Sequence, residues 1–502
     1  MSESADARKS TSTKIFYGVG SVAFGVKDNG FATILLPFYN LVLHLPPQLV
    51  GGAIAIALVV DAFLDPIVGH ISDNLRTKWG RRHPLMYLSA LPVAISYLLL
   101  WNPPAWSQGA MFVYLIVVAI VVRTFITLYE IPSSALAPEL TDDYDERTSL
   151  LAYRVFFAWF GGLTMVTLAY MVFLKPDAAH KVGQLNAEGY SLYGITAAII
   201  MFFAIIISAL GTHRFIPLFR KPEARKVTIR QYAAEMFATL SNKAFLILLL
   251  AAAFLNLATG LVFALAFYVN TYFWELSSQQ LGVLTMAIFI AVTLAFIIAP
   301  PLSKRFGKKK SAIAMFSCGL TINSLPLLLG LLGLFAPVGS PELMPLLFGF
   351  STIGAALSIG SSIMIVSMIA DVVEDSELKT GRRSEGLFFA GNSFLQKAIS
   401  GLGVFGSGML LWAVGFPSDA KPGAVDPAIV QNFAITYLLV VTALYVIGFI
   451  ILSRFPITRE HHNENLRRLA GEAPFASAQL GAEGPTAADD SNRPSSQPPT
   501  IG

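Results

Sequence analysis

The chain has 502 residues, of which 55% are hydrophobic and 13% charged, and its formal net charge is +4. A soluble protein carries about a quarter charged residues, so this balance excludes an ordinary water-soluble domain and points to a membrane protein. The single cysteine, Cys318, excludes an internal disulfide and any cysteine-based metal site.

In chain order, the opening "MSESADARKSTST" is polar and does not read as a signal peptide, so residues 1–14 are expected to be disordered and the first span to direct insertion. Apolar segments then recur to about residue 453, and many exceed the roughly 18 to 20 residues that cross a bilayer as a helix. A transmembrane β-barrel is excluded, because its strands alternate polarity over about ten residues. Polar and Pro/Gly breaks delimit twelve predicted spans: 15–41, 47–72, 84–102, 110–137, 150–174, 193–213, 243–272, 279–302, 311–336, 343–370, 386–415 and 428–453. The end, from 454 to 502, closes on a small, polar, Pro-rich stretch and is expected to be a largely disordered cytoplasmic tail.

The polar stretch "FRKPEARKVTIRQYAAEMFATLSNK" divides the spans six and six, giving an N-terminal bundle over 15–213, a linker over 214–242 and a C-terminal bundle over 243–453. In each half the loop after the second span is basic, "RTKWGRRHP" and "SKRFGKKK". In each half the loop after the fourth is mixed in sign, "PELTDDYDERTS" and "DVVEDSELKTGRRSE". Matching loops in matching places predict a duplicated six-helix unit, an arrangement that transporters use to hold a solute near the midplane. Asp142, Asp143, Asp145 and Glu146 are expected to face Arg382 and Arg383 as a gate of weak, openable ion pairs.

With both termini cytoplasmic, the inside loops hold twenty Lys/Arg and the opposite loops three, Lys175, Lys181 and Lys421. This bias predicts orientation in a cell (inner) membrane. The basic loops lie between membrane spans without aromatic interleaving, so they are read as headgroup contacts rather than a nucleic-acid surface. "GRRHP" is expected to anchor the second and third helices at the inner headgroups, with Pro84 starting the third.

Ionisable groups within the spans are few: Lys27, Asp28, Asp61, Asp65, Arg123, Glu130, Arg154 and Lys397. Each costs about 2.5 to 3.5 kcal/mol at a helix centre, so each is expected to face a cavity or a partner. Asp61 and Asp65, at i and i+4, share a helix face and repel unless something positive lies beside them. A captured cation or a shared proton would relieve that repulsion, and permanent internal ion pairing would do the same. Pro66 removes a backbone donor and leaves the Ala62 carbonyl as a further oxygen. Arg123, Thr127 and Glu130, at i, i+4 and i+7, form a second polar stripe.

"DAFLDPIVGHISDNLRTKWGRRHP", "EIPSSALAPELTDDYDERTSLLAYR" and "DVVEDSELKTGRRSEGLFFAGNSFLQK" together resemble the signature loops of the glycoside-pentoside-hexuronide:cation symporter family, a branch of the major facilitator superfamily. The chain is similar, more distantly, to the sodium-dependent lysophospholipid transporters of that branch. The resemblance implies an all-α membrane protein with twelve transmembrane helices in two pseudo-symmetric six-helix bundles, the major facilitator fold. It implies cation-binding roles for Asp61, Asp65, Glu130 and Thr127, and substrate-binding roles for Arg154, Lys397 and Ser393, with Asp28 close by. Three departures accompany these matches: Leu64 stands where the family's sugar carriers place a cation-linked Asn, Gly25 where they place a sugar-binding Asp, and Ser134 where they place a Trp under the sugar ring.

The expected function is secondary active transport: symport of a small polar solute such as a glycoside with H+ or Na+, by alternating access. The alternative within transport is a lysophospholipid carrier, suggested by Gly25, Ser134 and the apolar "LVFALAFYVN". No enzyme is expected, since no His/Cys cluster has metal spacing and no nucleophile has a plausible base. No cofactor is expected and no metal beyond a transported Na+ at Asp61 and Asp65. The partners expected are the small-molecule substrate and the bilayer, with the protein acting as a monomer.

Overall fold

A computed structural model describes residues 10–141, 143–176, 182–218, 243–380 and 385–456. Both termini and residues 219–242, most of the expected linker, lie outside it. Among the described residues, eleven helices are long and apolar enough to cross a membrane. They are α2 (Pro47–Asn74), α3 (His83–Trp101), α4 (Gln108–Ser134), α5 (Tyr144–Leu168), α6 (Ala187–His213), α7 (Lys243–Tyr268), α8 (Ser278–Phe306), α9 (Lys308–Leu331), α10 (Leu343–Thr380), α11 (Glu385–Ala413) and α12 (Pro427–Ser453).

The twelfth expected span is α1, residues 11–42, which is helical but broken into short pieces. Two α-helical stretches, Thr11–Val19 and Ser21–Asn29, meet at Gly20, and two π turns, Gly30–Ile34 and Phe38–Val42, flank Pro37. A proline in mid-helix removes a backbone donor, and single π turns absorb the resulting change of register. The helices run past their predicted ends mainly where the sequence becomes charged: α5 begins at Tyr144 and α10 continues to Thr380. Hydropathy marks the apolar part of a helix, while residues such as Glu and Lys prolong it into the aqueous boundary at little cost.

The duplication is visible in backbone detail. Each half's first helix ends in a π turn, Phe38–Val42 in α1 and Val269–Phe273 after α7. In one, the Leu43 N–H donates to the Phe38 carbonyl and Leu45 to Tyr39; in the other, Trp274 donates to Val269 and Leu276 to Asn270. Between those bonds a non-glycine residue takes positive φ in each half, His44 at 57° and Glu275 at 50°. Two unrelated loops would not reproduce one strained position within the same hydrogen-bonded frame.

The basic loops also match. Arg81 and Arg82 both reach Glu139, which follows α4, at 2.7 and 3.0 Å, and Arg82 also pairs with Asp73 at 2.6 Å. In the second half Lys308 pairs with Asp371 of α10 at 2.5 Å. The headgroup role expected for "GRRHP" is therefore corrected for Arg82: it is 6% exposed and knits α2, α3 and the end of α4 together. Carboxylates at i−9 and i+57 were available to it, and a charge-assisted network inside the protein outcompetes loose lipid contact.

Between the halves, α2 packs along α11 and α5 along α8. Glycines allow the first of these approaches: an added Cβ at Gly51 would lie 2.8 Å from the Val404 carbonyl, and one at Gly408 would collide with the Pro47 carbonyl. Among the described residues, several polar ties between the halves lie at the end opposite the termini. Tyr268 donates to Asn40 at 2.7 Å, Gln184 to the Leu276 carbonyl at 2.9 Å, and His44 meets the Ser418 carbonyl at 3.2 Å. The main apolar core runs continuously across both halves, through Leu41, Val50, Tyr268 and Val404, while a second core is confined to the C-terminal half. That far end is thus sealed by packing and hydrogen bonds together.

Candidate functional site

α2 and α4 pack side by side, and their two polar stripes converge halfway along. The Arg123 guanidinium donates through Nη1 to Asp61 Oδ2 at 2.8 Å, and the Thr127 hydroxyl donates to Asp61 Oδ1 at 2.7 Å. The same hydroxyl lies 3.4 Å from Asp65 Oδ1, so one threonine bridges the two acids. Arg123 is stacked over the Phe31 ring at 4.8 Å, and both Arg123 and Asp61 are buried, 4% and 1% exposed.

The third partner crosses from the other half. Lys397 on α11 places Nζ 2.6 Å from Asp65 Oδ2 and 3.4 Å from Asp61 Oδ2. Three donors around two carboxylates satisfy the requirement that a buried charge be paired and hydrogen-bonded. Glu130 makes no hydrogen bond through its side chain among the described residues, but lies close enough to act electrostatically on Lys397 and Asp65. Lys27, 2% exposed, acts on Asp61 in the same way and pairs directly with Asp28 at 2.6 Å.

Burial differs between the two acids. Along α2, Ile54, Ala57, Leu58, Ala62, Val68 and Ser72 are buried, while Val59, Phe63, Ile67 and Ile71 form an outward apolar stripe. Asp65 and Lys397 keep 19% and 22% side-chain exposure, against 1% for Asp61. The acid pair is therefore asymmetric: Asp61 is enclosed, and Asp65 is partly exposed beside Lys397.

The expected site residues separate accordingly. Asp61, Asp65, Thr127 and Glu130 are brought together, and the repulsion between the acids is relieved by basic side chains of the protein itself. Lys397, expected at the substrate, pairs with both acids. Arg154 is also engaged: it donates to the Ser133 hydroxyl at 2.8 Å and the Glu130 carbonyl at 3.2 Å, and stacks on Phe24 at 4.8 Å. Ser393 and Asp28 are exposed, one turn before Lys397 and beside Lys27 respectively. Of the expected gate, Asp142, Arg382, Arg383 and the side chain of Asp145 lie outside the described residues. Asp143 is exposed and accepts from the Glu146 backbone at 3.2 Å, and Glu146 pairs with Lys14 of its own half at 3.0 Å.

The departures have a structural cause at Gly25. A Cβ there would run into the backbone of Ala158 on α5, and Gly18, Gly161 and Gly162 make similarly close approaches along the same seam. An acid at 25 has no room, so a solute contact at this position is replaced by helix packing. In the sequence, this seam shows as small residues spaced along α1 and α5.

Two bundles of six helices enclosing a partly exposed, mid-depth charge cluster define a membrane transporter of the major facilitator class. The chain belongs to the MFS/sugar transport protein family, whose model matches residues 16–459. It is 26% identical to the isoprimeverose transporter of Lactiplantibacillus pentosus, over 84% of each chain. It is 24% identical to the sodium-dependent lysophosphatidylcholine symporter 1 of Gallus gallus, over 92% of this chain and 89% of that one. Among solved structures it resembles the inward-open xylose transporter XylE of E. coli, with a TM-score of 0.58 and 16% identity over 91% of this chain and 98% of that one. The likeness to glycoside-pentoside-hexuronide symporters thus holds along essentially the whole chain.

Proposed function

We propose that the protein is a cation-coupled symporter that takes up a small polar solute of the glycoside class, with H+ or Na+ as the driving ion. The observation that carries this reading is the pairing of Lys397 with Asp65 and Asp61, because it joins one half of the carrier to the other through a charge that an incoming cation can displace. A cation reaching Asp65 weakens the hold on Lys397. The freed ammonium becomes a hydrogen-bond donor for solute hydroxyls, one turn from the exposed Ser393. Loss of the tie also lowers the cost of separating α2 from α11, which the opposite-facing state requires. Ion binding, solute binding and reorientation are then linked through one side chain.

The isoprimeverose transporter among its relatives supports a glycoside. A lysophospholipid fits less well, since the walls next to Lys397 and Asp65 hold several buried charges. The distribution of Lys and Arg supports an orientation with the termini in the cytoplasm and the sealed far end outside.

The test is uptake by purified protein in proteoliposomes. Radiolabelled pentosides, hexosides, hexuronides and lysophosphatidylcholine are offered separately under an imposed pH gradient and an imposed Na+ gradient. Concentrative uptake of a glycoside under at least one gradient supports the reading. Transport of lysophosphatidylcholine alone, or of nothing under either gradient, contradicts it.

A further inference from the structure

Asp61 is the more enclosed of the two acids, and both of its oxygens already have donors of the protein beside them. Arg123 occupies Oδ2 at 2.8 Å, Thr127 spends its hydroxyl proton on Oδ1, Lys397 lies 3.4 Å from Oδ2, and Lys27 adds a more distant positive field. Sodium is a small hard cation and binds where several oxygens with free lone pairs converge. Leu64, on the turn between the acids, supplies none.

The placement of Arg123 is itself informative. Its Nε is buried and has no hydrogen-bond partner among the described residues, and its flat face lies on Phe31. A guanidinium with five donors normally reaches a bidentate or networked arrangement. Here a single bond to Asp61, at 1% and 4% exposure of the two partners, accounts for its position. The side chain is a cation delivered to one carboxylate oxygen and left otherwise undersatisfied.

We infer that the Arg123 guanidinium is a resident cation that fills the position a transported Na+ would take at Asp61, so that this carrier binds and moves its solute without sodium. The inference rests on the symport reading and narrows its ion. It makes Arg123 a specificity-determining residue: the carboxylate that would select sodium is permanently neutralised by the protein. What remains open to exchange is Asp65, held by the partly exposed Lys397.

Sodium binding can be read without knowing the solute, from the melting temperature of the purified full-length protein in detergent with NaCl or choline chloride at equal ionic strength. A ligand that binds only the folded state raises the melting temperature in proportion to its occupancy. Wild type is expected to show no sodium-specific shift. Arg123→Thr, which removes the guanidinium and adds an oxygen, is expected to gain a sodium-specific rise of about 2 to 4 °C. Arg123→Lys keeps a cation and is expected to stay indifferent. A sodium-specific rise in wild type overturns the inference, and so does indifference in both wild type and Arg123→Thr, since Asp61 would then be no sodium position at all. Should Arg123→Thr fail to fold, binding of 22Na+ to wild type decides alone: none supports the inference, and saturable binding overturns it. In proteoliposomes, glycoside uptake driven by a Na+ gradient contradicts only this inference, whereas no uptake under any gradient contradicts the symport reading.

Discussion

At the scale of single residues, a charge inside the bilayer is retained only where its partners hold it. Glu139 is a clear case, accepting from Arg81 and Arg82 in a largely buried setting at the end of α4. Glu139→Gln keeps the size and removes the charge, and is expected to destabilise the protein by about 1 to 3 kcal/mol. Thermal unfolding in detergent measures this, and an unchanged melting temperature would show that the network contributes nothing. The acid pair was legible in the sequence because i and i+4 residues share a helix face whatever surrounds the helix. Its partners were legible only in part. Thr127 and Arg123 were seen to share a stripe, but which acid they serve depends on how α4 rotates against α2. Lys397 lies 332 positions from Asp65, and nothing local to either residue specifies that they meet.

Among the elements, the seam between α1 and α5 decides what the carrier can still accommodate. Gly18, Gly25, Gly161 and Gly162 let the two backbones approach so closely that side chains are excluded. Gly25→Asp restores the acid that sugar carriers of the branch place here. It is nevertheless expected to lose stability by about 1 to 3 kcal/mol through overpacking and to gain no transport. The folded fraction by size-exclusion chromatography checks this, and a well-folded Gly25→Asp with raised glycoside uptake would contradict the packing account. Most helices were legible in the sequence, because apolar length alone sets a membrane span. α1 was legible as a span but not in its interior, since the π turns around Pro37 arise from hydrogen-bond register and leave no mark on hydropathy. Among the expected gate charges, exposed groups of opposite sign offer many pairings, and Glu146 takes Lys14 within its own half.

For the whole molecule, the described contacts close the end opposite the termini. Tyr268 to Asn40, Gln184 to Leu276 and His44 to Ser418 must all part for the carrier to face the opposite side. Cysteines introduced as His44→Cys and Ser418→Cys, with Cys318→Ser, should be bridged by a short, reducible thiol cross-linker. Uptake should then fall to background and return on reduction; uptake that persists in the cross-linked protein would show that this end does not open. The central claim is that a cation at the partly exposed acid displaces Lys397 and so couples ion flow to solute movement. Asp65→Asn tests it most directly, in proteoliposomes loaded with a glycoside that the wild type transports. The account predicts that gradient-driven accumulation is lost while exchange of labelled for unlabelled glycoside at equal concentrations continues. Accumulation at the wild-type level would contradict it.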